Sequence, residues 1–579
     1  MCDVLFVVPS MKAIVREEST GTLLLATILK ENKINTDIYR FHQADLTLPF
    51  EDFISDTVEN ILKINPKIVS FYCRCDCFLA DIILAKKLKE ANSNLKIVFG
   101  GPQADASSKE VITLLPFVDY CCSGEGETTI FPLMDAILKG EDVSHVRGLT
   151  YKDSSGNIKT TPRAELIKNL DELTDIDYSL VPESIMSAEN NPHILMDVGR
   201  GCPFGCAYCS SSFFWQRTFR LKSPKKIVSE IEELHHKYGY KRFVFSHDLF
   251  TANKKKVLEF CKEIKERNLH ITWVCSSRVD TLDEETIKAM ADSGLTSVFL
   301  GLETGSARIQ KLIHKNILRE DVINIVSLLM KYNVKVTASF MYGFPEETEE
   351  DLEDTLRLVY DIHKLGVRTY QFHLLTILPC TEYYETYKNQ LTFAATQSNI
   401  VGNFGVEENR DFIEKHLPLF PFYFEYSSDL RDKFKHLSNH ILTIFDIYRQ
   451  MTILDKERFS EMSFIKLYGD FIEANKEFLS ENSSDKEVSK YELGFNYLST
   501  VYSHSDVEKL REIFKFHKDS SAFRQDSKLT NDVRNYSVDI GAVSGKKSLN
   551  EIKERATIVF FRKQKEGATF SLTYLDNIK

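Results

Sequence analysis

Short apolar runs alternate with longer amphipathic stretches through roughly the first two thirds of this chain of 579 residues. The first apolar runs, typical of buried strands, lie at 4–8, 36–39, 68–72 and 96–99, with helical patterns between them. Alternating strands and helices predict a doubly wound parallel sheet, whose ligands bind beyond the carboxyl ends of the strands. We assign this Rossmann-like α/β domain to residues 1–140.

The same alternation returns about six times between residues 191 and 390. Each predicted strand is followed by an amphipathic helical stretch, and the strands are 194–198, 242–246, 271–275, 297–301, 335–341 and 369–375. Consecutive βα units in this number predict a parallel barrel, complete or partial, with its site at the carboxyl ends of the strands.

The remaining segments carry weaker patterns. Residues 141–190 predict a linker with a β-hairpin, and residues 391–579 predict a small, mostly helical α+β cap over the barrel mouth. An aromatic run at 417–426 either lines a substrate site in this cap or packs in a core.

The composition of the chain narrows the range of partners and cellular locations to be expected. The net charge of −11 gives no electrostatic footprint for a nucleic acid. No apolar run approaches the roughly 18 residues that a membrane helix needs, and the first strand follows Met1 without a signal peptide. We therefore expect a cytoplasmic protein. None of its twelve cysteines follows Cys380, and in a large cytosolic protein they argue against a disulfide scaffold.

The candidate chemistry centres on one loop. Three cysteines lie there at the spacing CxxxCxxC: Cys202, Cys206 and Cys209. Three thiolates this close, with Gly205 letting the backbone curl, suit an iron–sulfur cluster and leave one iron of a [4Fe–4S] cube open to an outside ligand. A zinc site is the alternative, but zinc needs a fourth ligand, and His193 and His247 lie outside the loop.

With Tyr208 just before the third cysteine, this loop resembles the signature of the radical S-adenosylmethionine (SAM) enzymes. The resemblance implies that SAM chelates the open iron and that an electron from the cluster cleaves it to a 5′-deoxyadenosyl radical. It also implies a TIM-like partial barrel of six units, with the cluster loop after the first strand. An external electron donor such as flavodoxin or ferredoxin follows from the same likeness.

The later strand ends resemble the family's SAM cradle. The residues that the resemblance implies are Tyr208, Ser246, Asp248, Arg278, Glu303, Phe340 and Gly343. Asp248, or Ser246, would hold the SAM amino group in place of the usual Gly-Gly-Glu, which is missing here. Arg278 would pair with the carboxylate. Glu303 would bond the ribose or amino group, and the segment with Phe340 and Gly343 would line the adenine.

Four further residues at or near strand ends have two interpretations each. His247 and His373 are candidates for proton transfer or are hydrogen-bonded structural histidines. Cys275 and Cys380 are candidate hydrogen-atom donors to a substrate radical, or they are buried thiols without a role in the reaction.

The first domain resembles the cobalamin-binding domain of cobalamin-dependent radical SAM enzymes in the order of its glycine motifs. The implied cobalamin contacts are Thr20, Gly21, Ser70, Gly100, Gly101, Pro102, Gly124, Glu125, Gly126 and Glu127. The DxHxxG motif that supplies a histidine to cobalt elsewhere is missing. A domain that kept the fold and lost the cofactor is therefore the alternative. Cys73, Cys75 and Cys77 either ligate a metal there or are small loop residues.

The resemblance implies cobalamin-dependent methylation of an unactivated carbon in a peptide, or in another natural-product or lipid intermediate. The first alternative is a radical reaction without methyl transfer, such as epimerisation, cross-linking or rearrangement. A tRNA methylthiotransferase is the next alternative, although the chain shows no basic RNA-binding tail. A non-catalytic iron–sulfur electron carrier or redox sensor belongs to a different class, and the SAM cradle argues against it.

Overall fold

The structure is a computed structural model. It describes residues 2–8, 19–41, 48–186, 188–189, 192–394, 404–459, 461–476, 479, 490–525, 531–538, 554–564 and 567–574. Internal contacts divide the chain into two compact units, Met1–Lys433 and Phe434–Lys579. The first unit holds the predicted N-terminal domain, linker and barrel, together with the start of the predicted C-terminal region.

The first sheet has seven strands in the order β2-β1-β3-β4-β5-β6-β7. Their bounds are β1 Val4–Val7, β2 Thr36–Tyr39, β3 Ile68–Tyr72, β4 Lys96–Gly100, β5 Tyr120–Cys122, β6 Leu149–Lys152 and β7 Ile158–Thr160. Strands β1 to β5 are parallel, and their order is that of a flavodoxin-like doubly wound sheet. The predicted fold of this domain is confirmed. The predicted linker hairpin, β6 and β7, extends the same sheet in antiparallel fashion.

Helices cover both faces of this sheet because its central strands are apolar along their whole length. β1 is buried at every position, as expected for a parallel strand packed on two sides. Ser19 caps the first helix by accepting a hydrogen bond from the Thr22 amide. The helices are Thr20–Glu31, Phe50–Ile64, Phe78–Ala91, Pro102–Ala106, Ser108–Leu114 and Ile130–Lys139, followed by the short Glu183–Met186.

The second sheet consists of six parallel strands in the order β15-β14-β13-β12-β11-β8. Their bounds are β8 Ile194–Asp197, β11 Arg242–Ser246, β12 Thr272–Ser277, β13 Leu295–Glu303, β14 Lys335–Tyr342 and β15 Thr369–Leu374, and a separate pair is formed by β9 Gly199–Arg200 and β10 Arg220–Leu221. The predicted six-unit partial barrel is confirmed. A register shift between β13 and β14 falls next to Glu303.

Capping residues start several of the helices around the barrel. Ser223 caps a helix whose first residue is Pro224, and Thr348 forms a capping box with Asp351. The helices are Ser211–Phe214, Pro224–Tyr238, Lys254–Glu266, Glu284–Asp292, Ala307–Leu312, Arg319–Lys331, Glu349–Lys364 and Glu382–Tyr387.

The chain after the barrel returns to the first domain. It contains β16 Leu391–Phe393, the helix Arg410–Lys415, β17 Phe424–Tyr426 and the helix Asp429–Phe434. The Gln103 side chain donates to the Leu419 carbonyl at 3.2 Å, and the rings of Phe78 and Phe420 lie 5.9 Å apart. The aromatic run at 417–426 is therefore largely buried in a core that it shares with the first domain.

The second unit combines helices with a small antiparallel sheet. Its helices are Leu437–Leu454, Lys456–Phe459, Phe464–Ala474, Lys490–Val501 and His504–Gln525, and its strands are β18 Asn531–Val538, β19 Glu554–Gln564 and β20 Gly567–Tyr574. Within the described ranges of the chain, no helix is both long and apolar enough to cross a membrane.

Candidate active site

The CxxxCxxC loop follows β8 and β9 at the carboxyl end of the barrel sheet. All three of its cysteines are free and partly exposed. Ala207, in the middle of the loop, donates from its amide to the Ile313 carbonyl and accepts at its own carbonyl from the Tyr383 amide, each at 3.2 Å. Two distant segments therefore hold the loop in place from opposite sides.

The three thiols of this loop are the kind of ligand by which proteins hold an iron–sulfur cluster. In the described part of the chain, no three Cys, His, Asp or Glu side chains converge on one metal position. A cubane spreads its ligands over separate irons, so its thiolates need not converge. Burial, together with the neighbouring Cys209 and Cys206 thiols, raises the pKa of the Cys202 thiol to about 11. Iron bound at Cys202, Cys206 and Cys209 would supply the positive charge that keeps their thiols deprotonated.

Arg278 lies directly beneath the loop rather than facing open space. Its guanidinium carbon is 3.7 Å from the centroid of the Phe204 ring, and its Nη1 is 3.7 Å from the Cys206 sulfur. Its Nε and Nη2 both donate to Asp280 at 2.9 Å, and Nη2 also donates to the Lys315 carbonyl. The resemblance assigned Arg278 to the SAM carboxylate, but most of its hydrogen-bond donors already bind groups of the protein itself.

Glu303 forms an ion pair with a lysine that was not predicted from the sequence. Lys315 is 6% exposed, and its Nζ donates to the Glu303 carboxylate at 2.6 Å and to the Tyr208 hydroxyl at 3.4 Å. The register shift at the end of β13 and the positive φ of Glu303, 65°, direct this side chain toward the loop. No local sequence pattern distinguishes Lys315 from a surface lysine, because its partners lie at the end of β13 and in the cysteine loop.

Asp248 and Ser246 remain open at the barrel mouth. Both are exposed, and Asp248 accepts one hydrogen bond, from the Ser211 hydroxyl at 3.0 Å. Burial is the main cause that raises the pKa of the Cys202 and Cys209 thiols, and the other loop thiols and the charge of Asp248 also raise it. Asp248 therefore lies beside the loop. Its second carboxylate oxygen suits an ammonium group such as that of SAM.

Phe340 and Gly343 lie at the end of β14 with different surroundings. Phe340 is fully buried, with its ring 6.0 Å from that of Phe372. Gly343 has φ +74°, and a Cβ there would lie 2.8 Å from Leu374 and 3.0 Å from Arg431. The buried Arg431 donates to the Gly343 carbonyl at 2.8 Å, so this unpredicted arginine shapes the turn.

The two candidate histidines lie in different settings. His247 is buried edge-on against Phe219, and burial lowers its pKa. Its ring nitrogens lie outside hydrogen-bond geometry, although backbone groups of Arg200 and Leu249 come close enough to oppose that shift. Burial also lowers the pKa of His373, and the opposing effect of Glu303 places His373 near the loop.

The two candidate hydrogen-atom donors lie in different surroundings, with Cys275 buried and Cys380 partly exposed. Burial raises the pKa of the Cys275 thiol, and Cys261 raises it further. Cys261 belongs to the helix Lys254–Glu266, so Cys275 faces the outer helix layer rather than the barrel mouth. Cys380 has φ +60°, its sulfur donates to the Ala106 carbonyl at 3.5 Å, and burial raises its pKa to about 11.

The predicted cobalamin residues divide into two groups. Gly101 has φ +91°, and a Cβ there would lie 2.7 Å from the Tyr72 ring, so the chain itself requires this glycine before the helix at Pro102. A Cβ at Gly126 would lie 3.1 Å from the end of the Leu25 side chain, a less severe contact. By contrast, an added Cβ at Gly100 would meet only Cys122, at 3.8 Å. The remaining residues of the carboxyl edge are the half-buried Thr20 and Gly124, the exposed Gly21 and the buried Ser70.

Glu125 and Glu127 lie in a buried ion-pair network with the barrel. Arg200, two residues before Cys202, pairs with Glu125 at 2.7 Å and with Glu127 at 2.6 Å. Arg220 pairs with Glu125 at 2.8 Å. Burial opposes the charge of Glu125, but the two arginines outweigh burial and lower its pKa. These glutamates therefore join the first domain to the strand that leads into the cysteine loop.

The CxCxC stretch is a buried thiol group at the end of β3. Burial raises the pKa of the Cys73 and Cys77 thiols, and the nearby carboxyl of Asp81 raises both further. Asp81 is itself buried, and burial raises its pKa. Cys73 and Cys77 are buried and their sulfurs donate to nearby backbone carbonyls, which favours the interpretation of Cys73, Cys75 and Cys77 as small loop residues over a metal site.

The chain matches known proteins across this site. The model of the Radical SAM superfamily matches residues 196–359. The chain is 34% identical over 331 residues to an uncharacterized methyltransferase of Pyrococcus horikoshii, covering 57% of this chain and 71% of that protein. It is 30% identical over 322 residues to the anaerobic magnesium-protoporphyrin IX monomethyl ester cyclase of Rubrivivax gelatinosus, covering 54% of this chain and only 57% of the cyclase.

Solved structures share the fold. The cobalamin-dependent SAM radical enzyme OxsB, with aqua-cobalamin and SAM bound, superposes with a TM-score of 0.62 at 16% identity over 91% of this chain and 82% of its own. The radical SAM methyltransferase TsrM from Kitasatospora setae gives 0.56 at 16% identity over 69% and 79%. The matched model, the extent of the Pyrococcus relative and the cysteine loop establish that this chain is an enzyme of the radical SAM superfamily, whose members use a [4Fe–4S] cluster and SAM.

Proposed function

We propose that this chain is a cobalamin-dependent radical SAM methyltransferase acting on an unactivated carbon of a peptide, or of another natural-product or lipid intermediate. The observation that carries the proposal is the joined architecture. A flavodoxin-like sheet and a six-strand barrel share one compact unit. The same architecture superposes over 91% of this chain on a protein with both aqua-cobalamin and SAM bound.

In this proposal the chain's residues bind and position. The three thiolates of the CxxxCxxC loop hold the cluster, while Tyr208 and Glu303, fixed by Lys315, form one wall of the SAM site. The open oxygen of Asp248 accepts the SAM ammonium group. When bound, the cluster supplies the electron that cleaves SAM and the corrinoid supplies the methyl group. An external donor such as flavodoxin or ferredoxin supplies electrons to the cluster.

The corrinoid site lies at the carboxyl edge of the first sheet. Strand order reverses between β1 and β3, which is where doubly wound sheets bind ligands. Support comes from Gly21, where an added Cβ would meet nothing within 4 Å, and from Gly100, where it would meet only Cys122, at 3.8 Å. Gly101, Glu125 and Glu127 carry no weight in this argument, because contacts within the protein already account for them.

A radical reaction without methyl transfer is the second candidate. It is favoured by the 30% identity to the Rubrivivax enzyme, whose name describes a cyclase. The two candidates differ in how SAM is used. Methyl transfer consumes one SAM for the radical and another to methylate cobalt, whereas the alternative consumes SAM for the radical only.

The test is anaerobic purification with cluster reconstitution, followed by addition of cobalamin, SAM and a reductant. Retained corrinoid, 5′-deoxyadenosine and S-adenosylhomocysteine are measured together, and Cys206→Ala serves as the control without an intact cluster. Stoichiometric corrinoid with both SAM products supports methyl transfer. Deoxyadenosine without bound corrinoid or S-adenosylhomocysteine selects the second candidate, and failure to cleave SAM contradicts both.

A further inference from the structure

The guanidinium of Arg278 is held between a ring, a carboxylate and a cysteine of the loop. Its five N–H groups have few directions left. Four of them already have acceptors: two donate to Asp280, one to the Lys315 carbonyl and one to the Cys206 sulfur. The residue is 5% exposed, and the Phe204 ring covers one face of the guanidinium. Such a group is poorly placed to fork around a carboxylate that arrives from solvent.

We propose that Arg278 is a positioning residue that donates a hydrogen bond to the Cys206 sulfur and thereby raises the reduction potential of the cluster. The inference rests on the proposed cluster site and reassigns Arg278 from the SAM carboxylate to the cluster. It leaves the other implied SAM contacts, Asp248 and Glu303, unchanged.

The physical reason is the charge that reduction adds. Hydrogen bonds to cluster sulfurs and nearby positive charge stabilise the reduced form, which carries one more electron. A buried guanidinium is little screened by water, so its effect on the cluster is large. Asp280 offsets part of this charge, but its side chain is 39% exposed and so more screened than the guanidinium.

The surrounding contacts fix the donor. Stacking on Phe204 and the fork to Asp280 orient the guanidinium plane, and an arginine does this better than a lysine. The Lys315 carbonyl bonds to Arg278, while the Lys315 ammonium bonds to Tyr208, two residues after Cys206. One residue therefore ties the sulfur donor and the aromatic residue of the loop together.

The test is a redox titration of the reconstituted protein without SAM, followed by electron paramagnetic resonance. Arg278→Gln should lower the midpoint potential by at least 59 mV, which is a tenfold loss in the one-electron reduction equilibrium. Asp280→Asn should shift the potential the opposite way, because it removes negative charge while leaving the guanidinium in place. A purely structural role would not produce shifts of opposite sign.

Arg217→Gln is the matched control. A Cβ on Gly205 would collide with the Arg217 guanidinium, so this exposed arginine covers the same loop. Among the described residues it donates to no cysteine sulfur, and its variant should leave the potential close to that of the wild type. An equal shift in the Arg217 and Arg278 variants would attribute the effect to net charge alone and overturn the proposal.

Iron and sulfide contents and SAM affinity separate the remaining outcomes. If Arg278→Gln retains a full cluster at an unchanged potential and loses SAM binding, the carboxylate assignment is right and the inference is wrong. If Arg278→Gln loses the cluster, the positive shift in Asp280→Asn decides, and its absence overturns the inference. A wild-type protein that assembles no cluster contradicts the proposed function itself.

Discussion

The carboxyl edges of the two parallel sheets carry similar residues and use them differently. At the first sheet, Glu125 and Glu127 turn into the protein and are neutralised by Arg200. At the barrel, the charged groups gather around the cysteine loop, where Arg278 contacts Cys206. Glycine and glutamate at a strand end therefore indicate the edge of a sheet, and only their partners show whether they form a ligand site.

Exposure separates the two edges in the same way. The charges of the first edge compensate one another in a buried network. The barrel mouth keeps Asp248 exposed, and among the described residues this carboxylate accepts one hydrogen bond, from Ser211. The ion pairs of the first edge therefore support the strand that enters the cysteine loop, whereas the barrel mouth keeps a carboxylate accessible to solvent.

Replacing one cysteine with alanine at each edge should give the largest difference between the two edges in iron content and SAM cleavage. Cys206→Ala removes one of three cluster ligands, so iron binding and SAM cleavage should fall to background. Cys75→Ala, in the thiol group at the end of β3, should leave iron content and SAM cleavage near wild type. Both are measured by iron analysis and 5′-deoxyadenosine formation after reconstitution. Loss of iron in the Cys75 variant would mean that the first edge also holds a metal.

Breaking the network between the edges should have the next largest effect. Arg200→Met leaves Glu127 and Asp197 without their buried cation and Glu125 with Arg220 alone, which typically costs about 3–5 kcal/mol. Calorimetry of the apoprotein should show a Tm lowered by several degrees.

The control is Lys30→Met, which breaks an exposed pair with Asp177 and should cost less than about 1 kcal/mol. Equal Tm changes in the two variants would show that the network is solvated and does not hold the two edges together.

The pair at the barrel mouth should show a smaller but specific coupling. Glu303→Gln and Lys315→Met should each weaken SAM binding about tenfold, or about 1.4 kcal/mol. The double variant should be weakened by less than the sum, with a coupling of about 0.5–3 kcal/mol, because the two side chains contact each other at 2.6 Å. Equilibrium dialysis with reconstituted protein measures all three, and strict additivity would contradict a shared role.

The fold was largely predictable because its signals are local. Buried parallel strands give continuous apolar runs, and the spacing of Cys202, Cys206 and Cys209 is read directly from the sequence. The predicted strands 36–39, 68–72 and 242–246 match the structure residue for residue. The hairpin after the first domain was also recognised, but its pairing with β5 was missed, because pairing between strands depends on residues far apart in sequence.

The supports of the site were missed for the same reason. Lys315 and Arg431 look like ordinary surface cations in the sequence, and only the fold buries them beside Glu303 and Gly343. Arg278 was recognised as a residue of the site, yet its contact with Cys206 spans 72 positions of sequence. Sequence patterns thus identify residues that point toward a site, whereas the contacts that orient them depend on tertiary structure.

Glu347 at the barrel mouth is the uncompensated counterpart of Glu125. Its Oε2 accepts from the Gly343 and Phe344 amides, and burial raises its pKa to about 8. A carboxyl with a raised folded pKa binds more protons folded than unfolded, so stability falls as pH rises from about 4.5 through about 8.

Glu347→Gln should therefore match the wild type at pH 5 and exceed it at pH 9, by about 1.4 kcal/mol for each unit of pKa shift. Thermal unfolding at both pH values measures this difference. The control variant Glu349→Gln, at an exposed position, should not show it. A wild type that is as stable as the variant at pH 9 would mean that Arg431 compensates Glu347 after all. The two edges would then treat their buried carboxyls alike.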